Sequence, residues 1–92
     1  MYLNNKEKIL SGKWIFENGK IVEDSVTKRI YKLINNHLVK VKNDATGWKT
    51  LYLDPKDNRY WELIYENSDW QGGGPPTLTN ISDKEVKSRY DL

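Results

Sequence analysis

The chain contains no cysteine, one histidine and no apolar run longer than three residues. Without cysteine it can form neither disulfide bonds nor thiolate metal sites, and it has no cysteine nucleophile. The short apolar runs predict no membrane-spanning helix. The first ten residues lack the apolar core of a signal peptide, so we expect a cytoplasmic protein. His37 has no partners at metal-ligand spacing, and the sequence therefore predicts no metal site.

The sequence also lacks the residue patterns on which common catalytic sites depend. Glu62 and Glu66 lie on one face of a predicted strand, with Cβ atoms about 13 Å apart. Paired catalytic carboxylates are usually ~5–9.5 Å apart. The glycine run Gly72 to Gly74 matches neither phosphate-binding loop motif, and no helix begins directly after it. We therefore expect no enzymatic activity and no cofactor, and a small-ligand enzyme with this loop at a pocket is the weakest alternative.

The length of 92 residues suits one domain, and we expect a single domain over residues 1–92. An aromatic content of 12% favours a folded chain. Residues 1–46 carry nine Lys/Arg and five Asp/Glu, whereas residues 47–92 carry six and eight. The acidic residues concentrate between Asp54 and Asp69. This sign disfavours nucleic acid and suits a basic protein partner such as a nuclease, with mixed surface charge as the alternative.

The first half of the chain predicts a hairpin, a helix and a strand. Asn18-Gly19 lies between two short extended segments, 13–17 and 20–23, and favours a type I′ turn. Apolar residues then recur at helical spacing from Val26 to Ile34. Asp24 or Ser25 can cap the start of this helix, and Asn35-Asn36 can end it in the left-handed conformation. Residues 38–42 alternate as a strand, and residues 3–10 suit one or two helical turns.

The second half predicts another hairpin, with strands at 48–53 and 59–66 joined by the turn Asp54 to Asn58. Residues 77–81 predict a short edge strand. Ser82 and Glu85 match a capping box, which predicts a C-terminal helix with Val86 and Tyr90 facing inward. The expected fold is α+β, with a small antiparallel sheet of about five or six strands built from the two hairpins, one main helix and a short C-terminal helix.

Alternation divides the second hairpin into two faces. We expect the first face to form core, and it comprises Leu51, Leu53, Trp61, Leu63 and Tyr65. The second face is aromatic as well, and comprises Trp48, Thr50, Tyr52, Tyr60, Glu62 and Ile64. An exposed sheet face is normally polar, so this face is either covered by the C-terminal helix or used for binding.

The candidate partner-binding residues come from this second face, the turn and the loop that follows. They are Trp48, Tyr52, Asp57, Arg59, Tyr60, Glu62, Asp69, Trp70 and Gln71. Trp70 between Asp69 and Gln71 has the character of a binding hot spot, with a Trp folded back onto the sheet as the alternative. Gly72, Gly73, Gly74, Pro75 and Pro76 are expected to shape the loop, since glycine allows close backbone approach and proline stiffens the exit.

Two motifs in this half are distinctive together: Arg59-Tyr60-Trp61-Glu62-Leu63 and Gly72-Gly73-Gly74-Pro75-Pro76. The same pattern takes in Gly47, Trp48, Leu51, Tyr52, Asp54, Pro55, Asp57 and Tyr65, and elsewhere Gly12, Lys13, Trp14, Asp24, Arg29, Ile30, Leu33, Ile34 and Tyr90. With these residues the chain resembles the immunity protein 27 family of bacterial polymorphic-toxin systems over nearly its whole length.

The resemblance implies a cytoplasmic protein that binds and blocks a cognate toxin domain, one delivered by secretion or contact during competition between bacteria. It implies no enzymatic activity, and it carries over no contact residues. The rival hypothesis is a small nucleic-acid-binding or regulatory protein that uses the basic helix face. That face comprises Lys28, Arg29 and Lys32, with Lys40 and Lys42 nearby, and it lacks interleaved aromatic residues beyond Tyr31.

Overall fold

The structure is a computed structural model that describes residues 3–4, 6–65 and 74–91. Within these residues the chain forms two helices and seven strands. The elements in chain order are β1 (Ile9–Ser11), β2 (Trp14–Glu17), β3 (Lys20–Glu23), α1 (Ser25–Asn36), β4 (Val39–Asn43), β5 (Thr50–Asp54), β6 (Arg59–Tyr65), β7 (Pro76–Ile81) and α2 (Asp83–Tyr90). Neither helix is long and apolar enough to cross a membrane.

The strands form two antiparallel sheets. The larger sheet has five strands in the order β1-β7-β6-β5-β4, and β2 pairs with β3 in a separate two-stranded sheet. The predicted α+β class, with one main and one short C-terminal helix, is confirmed. The two predicted hairpins lie in different sheets because β1, and not the first hairpin, pairs with β7.

Each face of the five-stranded sheet packs against one helix. On the first face, Ile30 and Leu33 of α1 join Leu10, Tyr52, Trp61, Leu63 and Leu78 in the larger core cluster. On the second face, Val86 and Tyr90 of α2 pack with Leu51, Ile81 and Tyr60. Burial of these side chains on both faces is the main stabilising contribution to a fold of this size.

The predicted faces of the second hairpin are wrong, because the predicted register between β5 and β6 differs from the observed one by one residue. Tyr52 lies opposite Trp61, and Leu51 lies opposite Glu62. The turn places four residues between the paired Asp54 and Arg59, so odd-numbered residues oppose even-numbered ones. A shift of one residue moves every side chain to the other face. Tyr52 is therefore a core residue on the α1 side, whereas Leu51 faces α2.

Three other expectations are corrected. The described residues of the range 3–10 form no helix, and the end of the range enters β1. Because β1 pairs with β7, β7 lies between two strands and not at an edge. Helix α1 does end at Asn36, but its C-cap is His37 with φ −127°, outside the left-handed region. The helix end is satisfied instead by the backbone N–H groups of His37 and Leu38, which both donate to the carbonyl of Leu33.

The local turn and capping signals are confirmed. Asn18 and Gly19 have φ 53° and 76°, as a type I′ turn requires. Asp24 caps α1, its carboxylate accepting from the backbone N–H of Thr27 at 2.7 Å. In α2 the capping box is complete, with Ser82 Oγ accepting from the backbone N–H of Glu85 and the Glu85 side chain accepting from that of Ser82.

Gly12 joins four elements at one point. Its backbone N–H donates to the carbonyl of Pro76 at 2.8 Å, directly after β1 and before the β2–β3 hairpin. A Cβ at this position would collide with Thr27 Oγ1 of α1 and would lie 2.9 Å from the Pro76 carbonyl oxygen. The position accepts only glycine because backbone and helix approach so closely.

Gly12→Ala is expected to lower the free energy of unfolding by about 2 kcal/mol, because the added methyl group must push α1 away from β7. Urea unfolding measures the change. Ser11→Ala, at an exposed neighbouring position, is the control and should stay within about 0.5 kcal/mol. A Gly12→Ala/Thr27→Ala double variant should recover part of the loss, since the Thr27 hydroxyl is one of the two obstacles. Equal stability of Gly12→Ala and the parent would contradict the close approach.

Candidate functional site

The five-stranded sheet has two ends with different character. At one end β1, β4 and β6 finish, and β5 and β7 begin, as the antiparallel pairing requires. From this end the chain continues into the β2–β3 hairpin and into the turn between β4 and β5. We call it the hairpin end. The opposite end, which carries the turn between β5 and β6, is the turn end.

Of the aromatic side chains that the structure describes, the most exposed belong to segments that leave the sheet at the hairpin end. Phe16 is 77% exposed and Trp48 is 69% exposed, and Ile21 at 60% lies directly opposite Phe16 in the β2–β3 pair. Ile15 and Tyr65 add further exposed apolar surface at this end. Of these, Phe16 and Ile21 are direct neighbours, and exposed apolar side chains that lie together, unlike scattered ones, mark interaction surfaces.

Trp48 projects from a turn that its own hydrogen bonds hold in place. The Asp44 carboxylate accepts from the Thr46 hydroxyl at 2.8 Å and from the backbone N–H of Lys49 at 3.2 Å. The backbone of Asp44 also bonds to Lys49 and to Gly47, which has φ 79°. An ordered turn loses less entropy on binding than a loose loop does. The Trp48 side chain is therefore both exposed and carried by an ordered turn.

Asp57 and Arg59 lie at the turn end, remote from Trp48. Trp48 lies six positions before Asp54, which corresponds to about 20 Å of extended chain. Arg59 bonds to Asp57 and donates at 2.9 Å to each of the backbone carbonyls of Glu7 and Asn4. Its guanidinium carbon also lies 5.0 Å from the centre of the Trp61 ring. Arg59 thus holds the N-terminal segment onto the sheet.

A second arginine secures the same segment. Arg29 of α1 binds Glu7 in a bidentate pair, with both nitrogen–oxygen distances 2.6 Å. The hydrogen bonds from Arg29 lower the pKa of Glu7 from its ordinary value of 4.5 to about 2. The segment bears Leu3, whose side chain is buried in the larger core cluster. Arg29, a member of the predicted basic helix face, is therefore engaged within the fold.

The predicted site residues of the sheet are divided between surface and interior. Tyr52 is buried, and Tyr60 is half-buried against the α2 cluster. Glu62 is buried, with its carboxylate accepting from Arg89 at 2.8 Å and from the Tyr90 hydroxyl at 3.0 Å. Burial, and then Glu62 itself, raise the pKa of Tyr90. Helix α2 therefore covers the sheet around Glu62 and Tyr60, which was one of the two alternatives for this face.

The loop candidates are only partly described. Asp69, Trp70, Gln71, Gly72 and Gly73 lie outside the described residues. Gly74, Pro75 and Pro76 are buried, and Pro76 opens β7 opposite Tyr65. Proline is accepted at the first residue of a strand because it cannot donate to the ladder. The chain leaves the described region after Tyr65 and returns at Gly74, so both flanks of the predicted Trp70 loop belong to the hairpin end.

The three described acidic residues of the second hairpin all have partners within the protein. Asp54 is fully buried, and one of its carboxylate oxygens lies 2.8 Å from His37 Nε2. Asp57 pairs with Arg59, and Glu62 with Arg89. The other two acids of this stretch, Glu66 and Asp69, lie outside the described residues. Two of the charges that suggested a basic partner therefore belong to ion pairs with arginine, and a third is buried beside His37.

His37 has a structural role, since it is both the C-cap of α1 and a partner of Asp54. Among the described residues, no group of three or more His, Asp or Glu side chains could hold a metal ion. On the basic helix face, Lys28, Lys32 and Lys40 are exposed, whereas Lys42 donates to the backbone carbonyl of Tyr90 at 2.8 Å.

Phe16 and Ile21 were not among the predicted site residues. The signal was present in the first hairpin, where apolar residues occur on both faces of two short strands. A two-stranded sheet that packs on a core can bury only one of its faces. Apolar residues on both faces of such a hairpin therefore indicate that one set stays exposed.

Comparison with known families identifies the chain. The sequence model of the family described as immunity protein 27 matches residues 16–82, which is well over half of the 92 residues. The chain therefore belongs to the immunity protein 27 family, and an immunity function follows in general terms. Neither a curated protein nor a solved structure matches it.

Glu62→Ala is expected to lower the free energy of unfolding by about 2 kcal/mol, because it leaves Tyr90 and Arg89 without their shared acceptor. Tyr90→Phe removes one of these bonds and should cost about 1 kcal/mol. Glu17→Ala, an exposed acid, is the control, expected within about 0.5 kcal/mol. Urea unfolding distinguishes the three. An unchanged stability for Glu62→Ala would return Glu62 to the candidates for direct partner contact.

The Glu7–Arg29 ion pair is expected to make the free energy of unfolding depend on pH in the acid range. Its pKa is lower in the folded chain than the ordinary value of 4.5, so the ion pair stabilises the native state above that value. The contribution, about 1 kcal/mol for a partly exposed pair, should fade as the pH falls from about 4.5 to about 2. Glu7→Gln and Arg29→Gln should each remove it, so that parent and variants converge in stability near pH 2. Parallel stability curves across this range would contradict the pairing.

Proposed function

We propose that this member of the immunity protein 27 family neutralises a cognate bacterial toxin domain by binding it with the hairpin end of the sheet. The carrying observation is that Phe16, Ile21 and Trp48, three of the most exposed apolar side chains among the described residues, belong to segments that leave the sheet at this end. Phe16 and Ile21 form a pair in the hairpin that follows edge strand β1, and Trp48 lies in the turn that follows the opposite edge strand, β4. Buried aromatic residues at the centre of a contact provide most of the binding energy in protein interfaces. Neutralisation would follow from occlusion or distortion of the toxin, without catalysis by this chain.

The remaining elements of the proposal follow from the family. The toxin would reach the cell by secretion or contact between competing bacteria, and this protein would meet it in the cytoplasm. Trp70, with its neighbours Asp69 and Gln71, joins the proposed contact set, since both flanks of that segment lie at the hairpin end. Tyr52 and Glu62 are buried, so they would support binding by stabilising the fold and not by contacting the toxin.

The proposal does not extend to a basic nuclease as the toxin. That expectation depended on the acids between Asp54 and Asp69, and Asp54, Asp57 and Glu62 are paired with His37, Arg59 and Arg89. Nor does an observation favour the nucleic-acid alternative. Arg29 and Lys42, two members of the basic helix face, make bonds within the protein.

The direct test is co-expression with the C-terminal domain of the protein encoded immediately upstream. We expect relief of that domain's toxicity and a stable stoichiometric complex on size-exclusion chromatography. Absence of both complex and relief would overturn the proposal.

Trp48→Ala is expected to weaken this complex by about 30-fold, the effect of losing a hot-spot aromatic residue. Its melting temperature should match the parent's because the side chain is mostly exposed. Val39→Ala is the control: Val39 is also exposed, at 52%, but it lies at the turn end of β4. Isothermal titration calorimetry measures both variants. Equal affinity for Trp48→Ala and Val39→Ala would remove the Trp48 turn from the contact.

A further inference from the structure

The β2–β3 hairpin is a rigid projection with two different faces. Its tip is a type I′ turn at Asn18-Gly19, and its root is secured by the hydrogen bond from Gly12 to Pro76 and by a second from Asp24 to the carbonyl of Lys13. It forms a sheet of its own, separate from the five-stranded sheet. Both faces near the tip can therefore be reached from solvent.

The first face of the hairpin is apolar. Phe16 and Ile21 are cross-strand partners, and they are 77% and 60% exposed. A paired aromatic and β-branched residue forms one continuous contact surface. It is the most exposed apolar pair among the directly opposed residues of the described strands.

The second face borders α1 and carries Ile15 and Val22, with the charged pair Glu17 and Lys20 nearer the tip. Glu17, Lys20 and Val22 point to this side, and together with Asn18 and Lys28 of α1 they line a shallow groove. The groove carries two positive side chains and one negative side chain. The carboxylate of Asp24 caps the start of α1, so the positive sign of the groove comes from the Lys20 and Lys28 side chains. The groove over Val22 is thus suited to a carboxylate.

We infer that the hairpin inserts into a cleft of the toxin domain that has one apolar wall and one acidic wall. Phe16 and Ile21 would pack against the apolar wall, and Lys20 and Lys28 would face the acidic one. The charge complementarity of the second face selects this partner, because a basic wall would oppose both lysines. The inference rests on the proposed function and adds to it the chemistry of the surface that the toxin presents.

The test measures binding of the hairpin variants to the upstream-encoded toxin domain, made by cell-free synthesis, using biolayer interferometry. Phe16→Thr/Ile21→Thr removes the apolar face but keeps residues that favour strands. We expect affinity to fall by about 30-fold. Ile9→Thr is the control, since Ile9 is 59% exposed but lies at the turn end of β1. It should change affinity less than about twofold.

Lys28→Glu tests the acidic wall. Glutamate in the first turn of a helix favours the helix dipole, so this variant should fold as well as the parent. We expect its association rate to fall about tenfold at low salt, with a smaller effect at high salt. Lys84→Glu is a matched control, because Lys84 is an exposed lysine in the first turn of α2. It should leave the association rate unchanged.

Circular dichroism and thermal unfolding verify that each variant is folded. If Phe16→Thr/Ile21→Thr does not fold, Phe16→Thr and Ile21→Thr are tested separately. Parent affinity for both the Thr variants and Lys28→Glu would overturn the cleft inference while leaving the proposed function intact. Faster association of Lys28→Glu would show a basic wall and would overturn it as well. A parent protein that does not bind at all would instead overturn the proposed function.

A second copy of this chain is the competing occupant of the apolar face. Sedimentation equilibrium of the free protein should show a monomer. A dimer that Phe16→Thr/Ile21→Thr abolishes and Ile9→Thr preserves would assign the face to self-association and overturn the inference.

Discussion

The close approach of Gly12 to α1 and β7 is the constraint on which the arrangement of the hairpin end depends. Its N–H bonds to Pro76, and the absence of a side chain lets Thr27 of α1 lie against the same backbone. This contact fixes where β1 ends, where the β2–β3 hairpin leaves the sheet and where β7 begins. A bulkier residue would separate the helix from the sheet and would redirect the hairpin, because packed interiors do not absorb an added methyl group without strain.

Local signals in the sequence predicted the local elements well. Asn18-Gly19 and the Ser82-Glu85 capping box each depend on a few neighbouring residues, and each appears as predicted. The predictions that were wrong concerned features that depend on long-range strand pairing. The turn between β5 and β6 was located correctly, yet one residue in its pairing decided whether Leu51 or Tyr52 faced α1. Similarly, no local pattern in residues 3–10 reveals that β7 lies alongside them.

Charged residues were the least predictable part of the candidate site, for a physical reason. Glu62, Asp57 and Arg59 sit in a stretch rich in aromatic residues, which from sequence resembles a charged rim around a binding surface. Their partners lie far away in the chain: Arg89 and Tyr90 for Glu62, and the backbone of Asn4 and Glu7 for Arg59. A buried charge requires such partners because of its desolvation cost. These residues therefore hold α2 and the N-terminal segment in place.

The fold leaves few places for a partner to bind. Both faces of the five-stranded sheet are covered, one by α1 and the other by α2. Its edges are β1, only three residues long, and β4, which carries a bulge and two lysines, features that discourage strand addition. The turn end commits Asp54, Asp57 and Arg59 to internal bonds. Among the described residues, the hairpin end exposes apolar side chains on ordered turns, and for this reason we propose it as the surface that contacts the partner.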